Sequence, residues 1–408
     1  MKKKKNLLMM LLAIVLLLSW NVAVFAASNS VATISGESYK TLEKAIKAVK
    51  NGQTITVLEN ISTNSTVTIN KKGVNFTINF AGNSYYYKGT GNAFNLKAGN
   101  ITVKNGNIKS KNYIFRVQKN CNLTITNGKY TGYHYNLGNC YVKNGNFTTK
   151  GVPSSNTDEL FQNYGKMEVR KGNFLGEDDN AILNSGTLLI KNGSFKSTAQ
   201  SENSMYPVIM NEKKATCEIR GGTFDGKECS IWNSGNLLIY AGNFNATEGN
   251  TLANKGTAKI EGGTFTIGNK RYWLIWNLSN MTINDGVFTG CVGNETSSSG
   301  VLNINGGNYK CTFNCAVYNY KGKVNIKNGV FTTSKHNTIF NNTKGILRVY
   351  GGTYKCTGYY YVLNNFGKAY LKGGKFYCKN SSNSILATKG SVLQVNQNVV
   401  YSGDIDYE

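Results

Sequence analysis

Proline and histidine are almost missing from this chain of 408 residues, which holds two of each. Two histidines cannot supply a zinc centre with several imidazole ligands, and they argue against a histidine-activated nucleophile. Acidic side chains are scarce too: 21 stand against 46 basic ones, so the net charge is +25 and calcium sites built from aspartate runs are not expected. Charged residues make up only 16% of the chain and glycine numbers 45, which departs from a helix-rich globule built on Ala, Leu and Glu. Disorder is disfavoured in turn, because 40% hydrophobic and 12% aromatic residues suffice for a core.

The first residues read as an address. Lys2 to Lys5, an apolar run from Leu7 to Leu18 and the small-residue site Val24-Phe25-Ala26 follow the order of a secretory signal peptide, with cleavage expected after Ala26. An uncleaved anchor is the competing reading, since the run approaches the ~20 residues that span a bilayer. The mature chain is expected to be secreted, either released or associated with the cell wall, and free of the membrane once cleaved. Residues 27–58 read as an N-terminal cap, 59–395 as the body and 396–408 as a C-terminal end.

What dominates the body is repetition. Leu188-Leu189-Ile190-Lys191-Asn192-Gly193-Ser194-Phe195 returns as Cys217-Glu218-Ile219-Arg220-Gly221-Gly222-Thr223-Phe224 and again as Ala258-Lys259-Ile260-Glu261-Gly262-Gly263-Thr264-Phe265. The second glycine of the phrase recurs thirteen times from Gly106 to Gly374, a period of about 22 residues that lies in the solenoid range. A second phrase, Ala181-Ile182-Leu183-Asn184-Ser185-Gly186, carries an asparagine that recurs at Asn163, Asn184, Asn211, Asn233, Asn254, Asn277, Asn319, Asn341 and Asn364, with Ser298 filling one gap. The period-two alternation and the turn residues predict two short β-segments in each repeat. Such a unit cannot bury its own apolar face, so copies must stack at ~4.8 Å into an all-β, single right-handed parallel β-helix. Leu123 and Ile125, Leu188 and Ile190, and Leu302 and Ile304 should face inward, with a Phe or Tyr two residues past each glycine filling a corner. The asparagines should form a hydrogen-bonded ladder, a structural rather than catalytic role. Ahead of the repeats, Thr41 is an N-cap for a short helix with Leu42, Ala45, Ile46 and Val49 on one stripe, ended by Asn51-Gly52. That helix would cap the open solenoid end.

The capping helix, the strand Thr54-Ile55-Thr56-Val57-Leu58, the turn Phe80-Ala81-Gly82-Asn83, the Gly-Gly-Thr-Phe repeats and the asparagine ladder together resemble the secreted right-handed parallel β-helix proteins of the pectin-lyase-like fold, especially Gram-positive cell-surface members. The resemblance covers nearly all of the mature chain. It implies the architecture, but not one activity, because the fold hosts polysaccharide lyases, glycoside hydrolases, phage tail spikes and non-catalytic adhesins. The hydrolases of the family use clustered aspartates with Gly-His-Gly and Arg-Ile-Lys motifs; Asn156-Thr157-Asp158 and Asp178-Asp179 imitate the first, and the other two are missing. The lyases use an Arg or Lys base with Ca or another cation on a uronate carboxylate. Arg170 and Lys191, beside Glu177-Asp178-Asp179, are the one place where both parts could meet.

Two outward rows suggest binding instead. Two residues before each repeat glycine stand Lys104, Lys143, Arg170, Lys191, Arg220, Lys327 and Lys372 among neutral or acidic neighbours, a column that an anionic polymer would settle by relieving repulsion. The competing reading is that these lysines only keep a long sheet soluble. One residue before the ladder stand Leu183, Met210, Trp232, Ala253, Trp276, Tyr318, Phe340 and Leu363. Trp232 and Trp276 should lie two rungs, roughly 10 Å, apart on the outside, near a disaccharide step, unless loops fold over the stripe and make it a second core layer. Of nine cysteines, Cys356 and Cys378 fall on successive rungs and Cys291 and Cys311 are similarly close, so mostly buried thiols with one or two bridges at most are expected. Cys311 and Cys315 alone do not make a metal site, so no metal or cofactor is expected, with Ca entering only for a lyase. The residues thus favour a non-catalytic protein that binds polysaccharide or an anionic surface polymer, adhesin-like, over a uronate lyase; no nucleic-acid motif is present, and the oligomeric state stays open.

Overall fold

The computed structural model describes residues 30–152, 159–177, 179–199, 206–296, 300–379 and 383–408. The leader, Asn156-Thr157-Asp158, Asp178 and Ser298 lie outside the described residues. The remainder is an all-β parallel solenoid of about 15 turns, each near 22 residues. Among the described residues no helix is long and apolar enough to cross a membrane.

One turn runs through three strands, as in Thr187–Ile190, Ser194–Ser197 and Pro207–Asn211. The alternation had suggested two. The first phrase divides because Gly193 takes a φ of +137°, which an L side chain rarely adopts, and so turns the chain between Ile190 and Ser194. Each strand pairs in parallel with its counterpart one rung on: Leu188 with Cys217, Phe195 with Phe224, Ile209 with Ile231. The result is three stacks of strands around one apolar interior, in which Leu188, Ile190, Phe195, Ile209 and Ile231 are fully buried.

Repetition of one residue type at one position turns ordinary packing into columns. From Phe147 to Phe376 the second stack carries an unbroken pile of Phe and Tyr rings, with neighbouring centroids 4.5–5.1 Å apart and planes within 16°. Ring spacing therefore matches the strand spacing of ~4.8 Å, so side-chain and backbone contacts favour the same register.

The asparagine ladder runs along the end of the third stack. Asn136, Asn163, Asn184, Asn211, Asn233, Asn254 and Asn277 each donate Nδ2 to the Oδ1 of the next, at 2.7–3.0 Å. Most use their second N–H on a backbone carbonyl, as Asn254 does on Asn280 at 3.0 Å. Two expected rungs are corrected. The gap after Asn277 is filled by Asn294, which bonds Asn319 at 2.9 Å, and not by Ser298. At the far end Asn341 donates to Asn365 at 2.7 Å, while Asn364 pairs with Phe340 on the outward row and its Oδ1 has no partner. The reason is uneven rung length: a 17-residue rung from 277 to 294 followed by a 25-residue one to 319 hides Asn294, and a separate 24-residue rung from 341 to 365 carries the last step past Asn364.

At the N-terminal end, helix α1 (Leu42–Ala48) closes the interior with Leu42, Ala45 and Ile46, and the Thr41 hydroxyl accepts the Lys44 N–H at 3.2 Å. Lys71 Nζ reaches back to the carbonyls of Lys47 (2.6 Å) and Val49 (3.2 Å), satisfying groups that the helix end leaves open. Beyond residue 395, strands Val399–Tyr401 and Ile405–Tyr407 still continue the second and third stacks.

His134 takes the place of an aromatic ring in the third stack, stacked 4.3 Å from Phe161 with the two planes within 9° of parallel, and neither ring nitrogen has a hydrogen bond. Burial pushes its pKa from 6.5 down to about 3. A group whose folded pKa is depressed in this way, being a base, withdraws stability as pH falls from 6.5 towards 3, because only the unfolded chain takes up the proton. His134→Phe should therefore flatten the loss of stability over that window, as read by urea midpoints at pH 7, 5 and 3.5; an unchanged pH dependence would contradict the buried neutral imidazole.

Candidate functional site

The basic row forms a true column. The backbone N–H groups of Arg170, Lys191 and Arg220 donate to Val142, Val169 and Ile190, each one rung earlier, at 2.8 Å. Lys143, Arg170 and Arg220 are exposed and Lys191 is half-buried. Repulsion within this row is nevertheless relieved inside the protein. Glu168 lies 2.7 Å from Lys191 Nζ and 3.6 Å from Arg170 Nε, Glu218 lies 2.6 Å from Arg220 Nε, and Glu261 meets Lys259 at 2.5 Å. Hydrogen bonds from Asn284 and Lys259 hold the Glu261 carboxyl below its ordinary pKa. Around Arg170, Lys191 and Arg220 an anionic polymer is thus not needed to settle the row.

The same contacts bear on the lyase arrangement. Arg170 and Lys191 converge on Glu168 and not on the acidic loop. Asp179 is buried and lies at the opposite end of strand Asn173–Gly176 from Arg170, a four-residue span of roughly 13 Å. Asp178 lies outside the described residues.

On the outward row of the third stack, registers run Leu183, Met210, Trp232, Ala253, Trp276, Gly293, Tyr318, Phe340, Asn364. Leu363, expected in this row, is fully buried instead, displaced by the 24-residue rung between Asn341 and Asn365. Trp232 and Trp276 are two rungs apart, yet their centroids are 6.5 Å apart at 73°, because the small Ala253 between them lets the rings lean together. They form one edge-to-face pair and not two parallel platforms at a disaccharide step. Lys255 Nζ sits 4.4 Å from the Trp232 ring centroid and Trp276 Nε1 donates to Glu295 at 3.2 Å.

Beyond Trp276 the row opens. Gly293 forms the floor of a recess of about 170 Å³ walled by Trp273, Trp276, Tyr318 and Tyr320, with Glu295 at its edge. A Cβ at position 293 would stand 2.7 Å from the Trp273 ring, so glycine is what allows that indole to lie over the strand. Tyr318 stacks on Phe340 at 4.9 Å, and together with Trp273 they pack against the buried thiols Cys291, Cys311 and Cys315. The stripe is accordingly half covered: its inner edges belong to a small second core and its outer edges meet solvent. Trp273, Gly293, Glu295 and Tyr320 were not anticipated. Trp273 lies in the loop before the strand, and the short rung hides Gly293 from any count by 22.

All nine cysteines are free thiols in the described residues, including Cys356 and Cys378, which face each other in register. Burial raises Cys121, Cys140, Cys217 and Cys229 to about 12. Only Cys378 is not fully buried. Brief iodoacetamide treatment at pH 8 should therefore alkylate Cys378 ahead of the other eight, read by peptide mass spectrometry; early labelling of Cys217 or Cys229 would contradict their burial.

Compared with protein-family models, curated proteins and solved structures, the chain gave no match.

Proposed function

We propose that this protein is secreted and binds polysaccharide, without catalysis, along the outward row of its third stack. The observation that carries the reading is the recess on Gly293: four half-exposed aromatic rings around a gap, with the Glu295 carboxylate beside it. A sugar ring presents an apolar face that stacks on indole or phenol and hydroxyls that a carboxylate accepts. The rings repeat along the axis of the solenoid, so a chain polymer can follow them from rung to rung. With Lys2 to Lys5 removed in the leader, 42 basic against 21 acidic side chains leave a net charge of +21, which extends the class to anionic wall or surface polymers. A uronate lyase would need Arg170 or Lys191 as a free base, and Glu168 engages both.

The test is affinity electrophoresis through gels containing laminarin, xylan or polygalacturonate, with sedimentation on purified peptidoglycan. Retardation by at least one polymer is expected. Trp276→Ala should weaken it about tenfold, a loss of ~1.4 kcal/mol. No retardation on any polymer, or none lost in Trp276→Ala, contradicts the site. Incubation with polygalacturonate or alginate and Ca should give no absorbance from unsaturated product; a Ca-dependent rise abolished by Arg170→Ala would replace binding with lysis.

A further inference from the structure

Charge is divided along the solenoid far more sharply than its total conveys. Between Asn60 and Thr157 there is no Asp or Glu, against 12 Lys and Arg, so all 21 acidic residues lie outside these 98 positions. The five ion pairs of the described residues lie between Glu168 and Lys321. The first rungs therefore keep a cationic surface without carboxylates, as do residues 296–403 with 13 Lys and Arg and no Asp or Glu, while Glu168, Glu218, Glu261 and Glu295 neutralise the rungs between.

That surface has a shape. At the corner between the third and first stacks lies a groove of about 520 Å³ whose lining includes Asn70, Lys72, Lys97, Lys119, Asn122 and Asn139. The three lysines are exposed and come from three successive rungs. A second asparagine ladder holds the wall: Asn139 Nδ2 donates to Asn122 at 2.6 Å, Asn122 to Asn100, and Asn100 to Asn75. Each amide is oriented by its neighbour and keeps one N–H for a ligand. No aromatic ring and no arginine lines the groove, so it offers neither a stacking platform for bases nor a planar fork for phosphate.

We propose that the N-terminal rungs bind an anionic polysaccharide, its carboxylates or sulfates set on Lys72, Lys97 and Lys119 and its hydroxyls on the asparagine wall. The contact is distinct from the Trp276 recess, so either can fail while the other holds.

The experiment measures binding of the full chain to polygalacturonate and to dextran sulfate, with neutral dextran and double-stranded DNA as comparison probes. One variant carries Lys72→Gln, Lys97→Gln and Lys119→Gln; a control with the same change in charge carries Lys310→Gln, Lys355→Gln and Lys389→Gln. At about 50 mM NaCl the groove variant should bind at least one of the two anionic polysaccharides roughly tenfold or more weakly, the control less than twofold, and about 500 mM NaCl should abolish the difference. Trp276→Ala should leave this difference in place. Equal losses in groove and control variants would reduce the effect to net charge and overturn the proposal. So would binding of neither polyanion, or tighter groove-dependent binding of DNA than of either polysaccharide. Unchanged thermal melting in both variants shows that the fold is intact.

Discussion

Every outward column of this protein exists because one rung hydrogen-bonds to the next in register, and the register is held three times over. Backbone pairing repeats at ~4.8 Å in all three stacks. The Phe and Tyr pile repeats at 4.5–5.1 Å inside. The buried amides of the ladder pair with the amides directly above and below, and one left unpaired would cost roughly 1–3 kcal/mol. A slip of one residue would break all three at once and would also turn the apolar positions outward. Short strands of three or four residues, each marginal alone, are thereby fixed as a single body.

From this constraint the outward columns proposed for binding follow without further folding information. Once Ile231 and Ile275 point inward, Trp232 and Trp276 must point outward, and what lies between them depends on whichever residue occupies the intervening rung. Ala253 lets the two indoles close on each other; Gly293 lets the next interval open into a recess. Charge follows the same logic. Where Glu168 or Glu218 stands beside the basic column the cations are paired, and where the first rungs carry no carboxylate they are left to solvent. A solenoid of this kind can thus hold an aromatic segment and a cationic segment on one axis, which suits a long polymer better than a small ligand.

The fold was legible in the sequence because each rung repeats the same few requirements: a turn glycine, an inward Ile, a ring, an asparagine. The capping helix was legible from Thr41 and its apolar stripe. What escaped was phase and side-chain direction. Counting by 22 put Ser298 and Asn364 in the ladder where Asn294 and Asn365 belong, since no local feature of the chain marks the 17-residue rung between Asn277 and Asn294 or the 24-residue rung between Asn341 and Asn365. The three-strand rung was hidden because glycine reads as a turn whether it separates two strands or ends one. The pairing of Arg170 and Lys191 with Glu168 depends on two side chains two residues apart and a third one rung away, a geometry that only the register creates.

The register is tested most directly where sequence counting and structure disagree. A double-mutant cycle would join Asn341→Leu with Asn365→Leu, and separately with Asn364→Leu, with stability read from urea unfolding. Asn341 donates to Asn365 at 2.7 Å, so that pair should show a coupling energy of about 1–3 kcal/mol, while the pair with Asn364 should add within about 0.5 kcal/mol. Additivity for Asn365 together with coupling for Asn364 would mean that the rungs are stacked one residue out of the register described, and the outward columns would have to be redrawn.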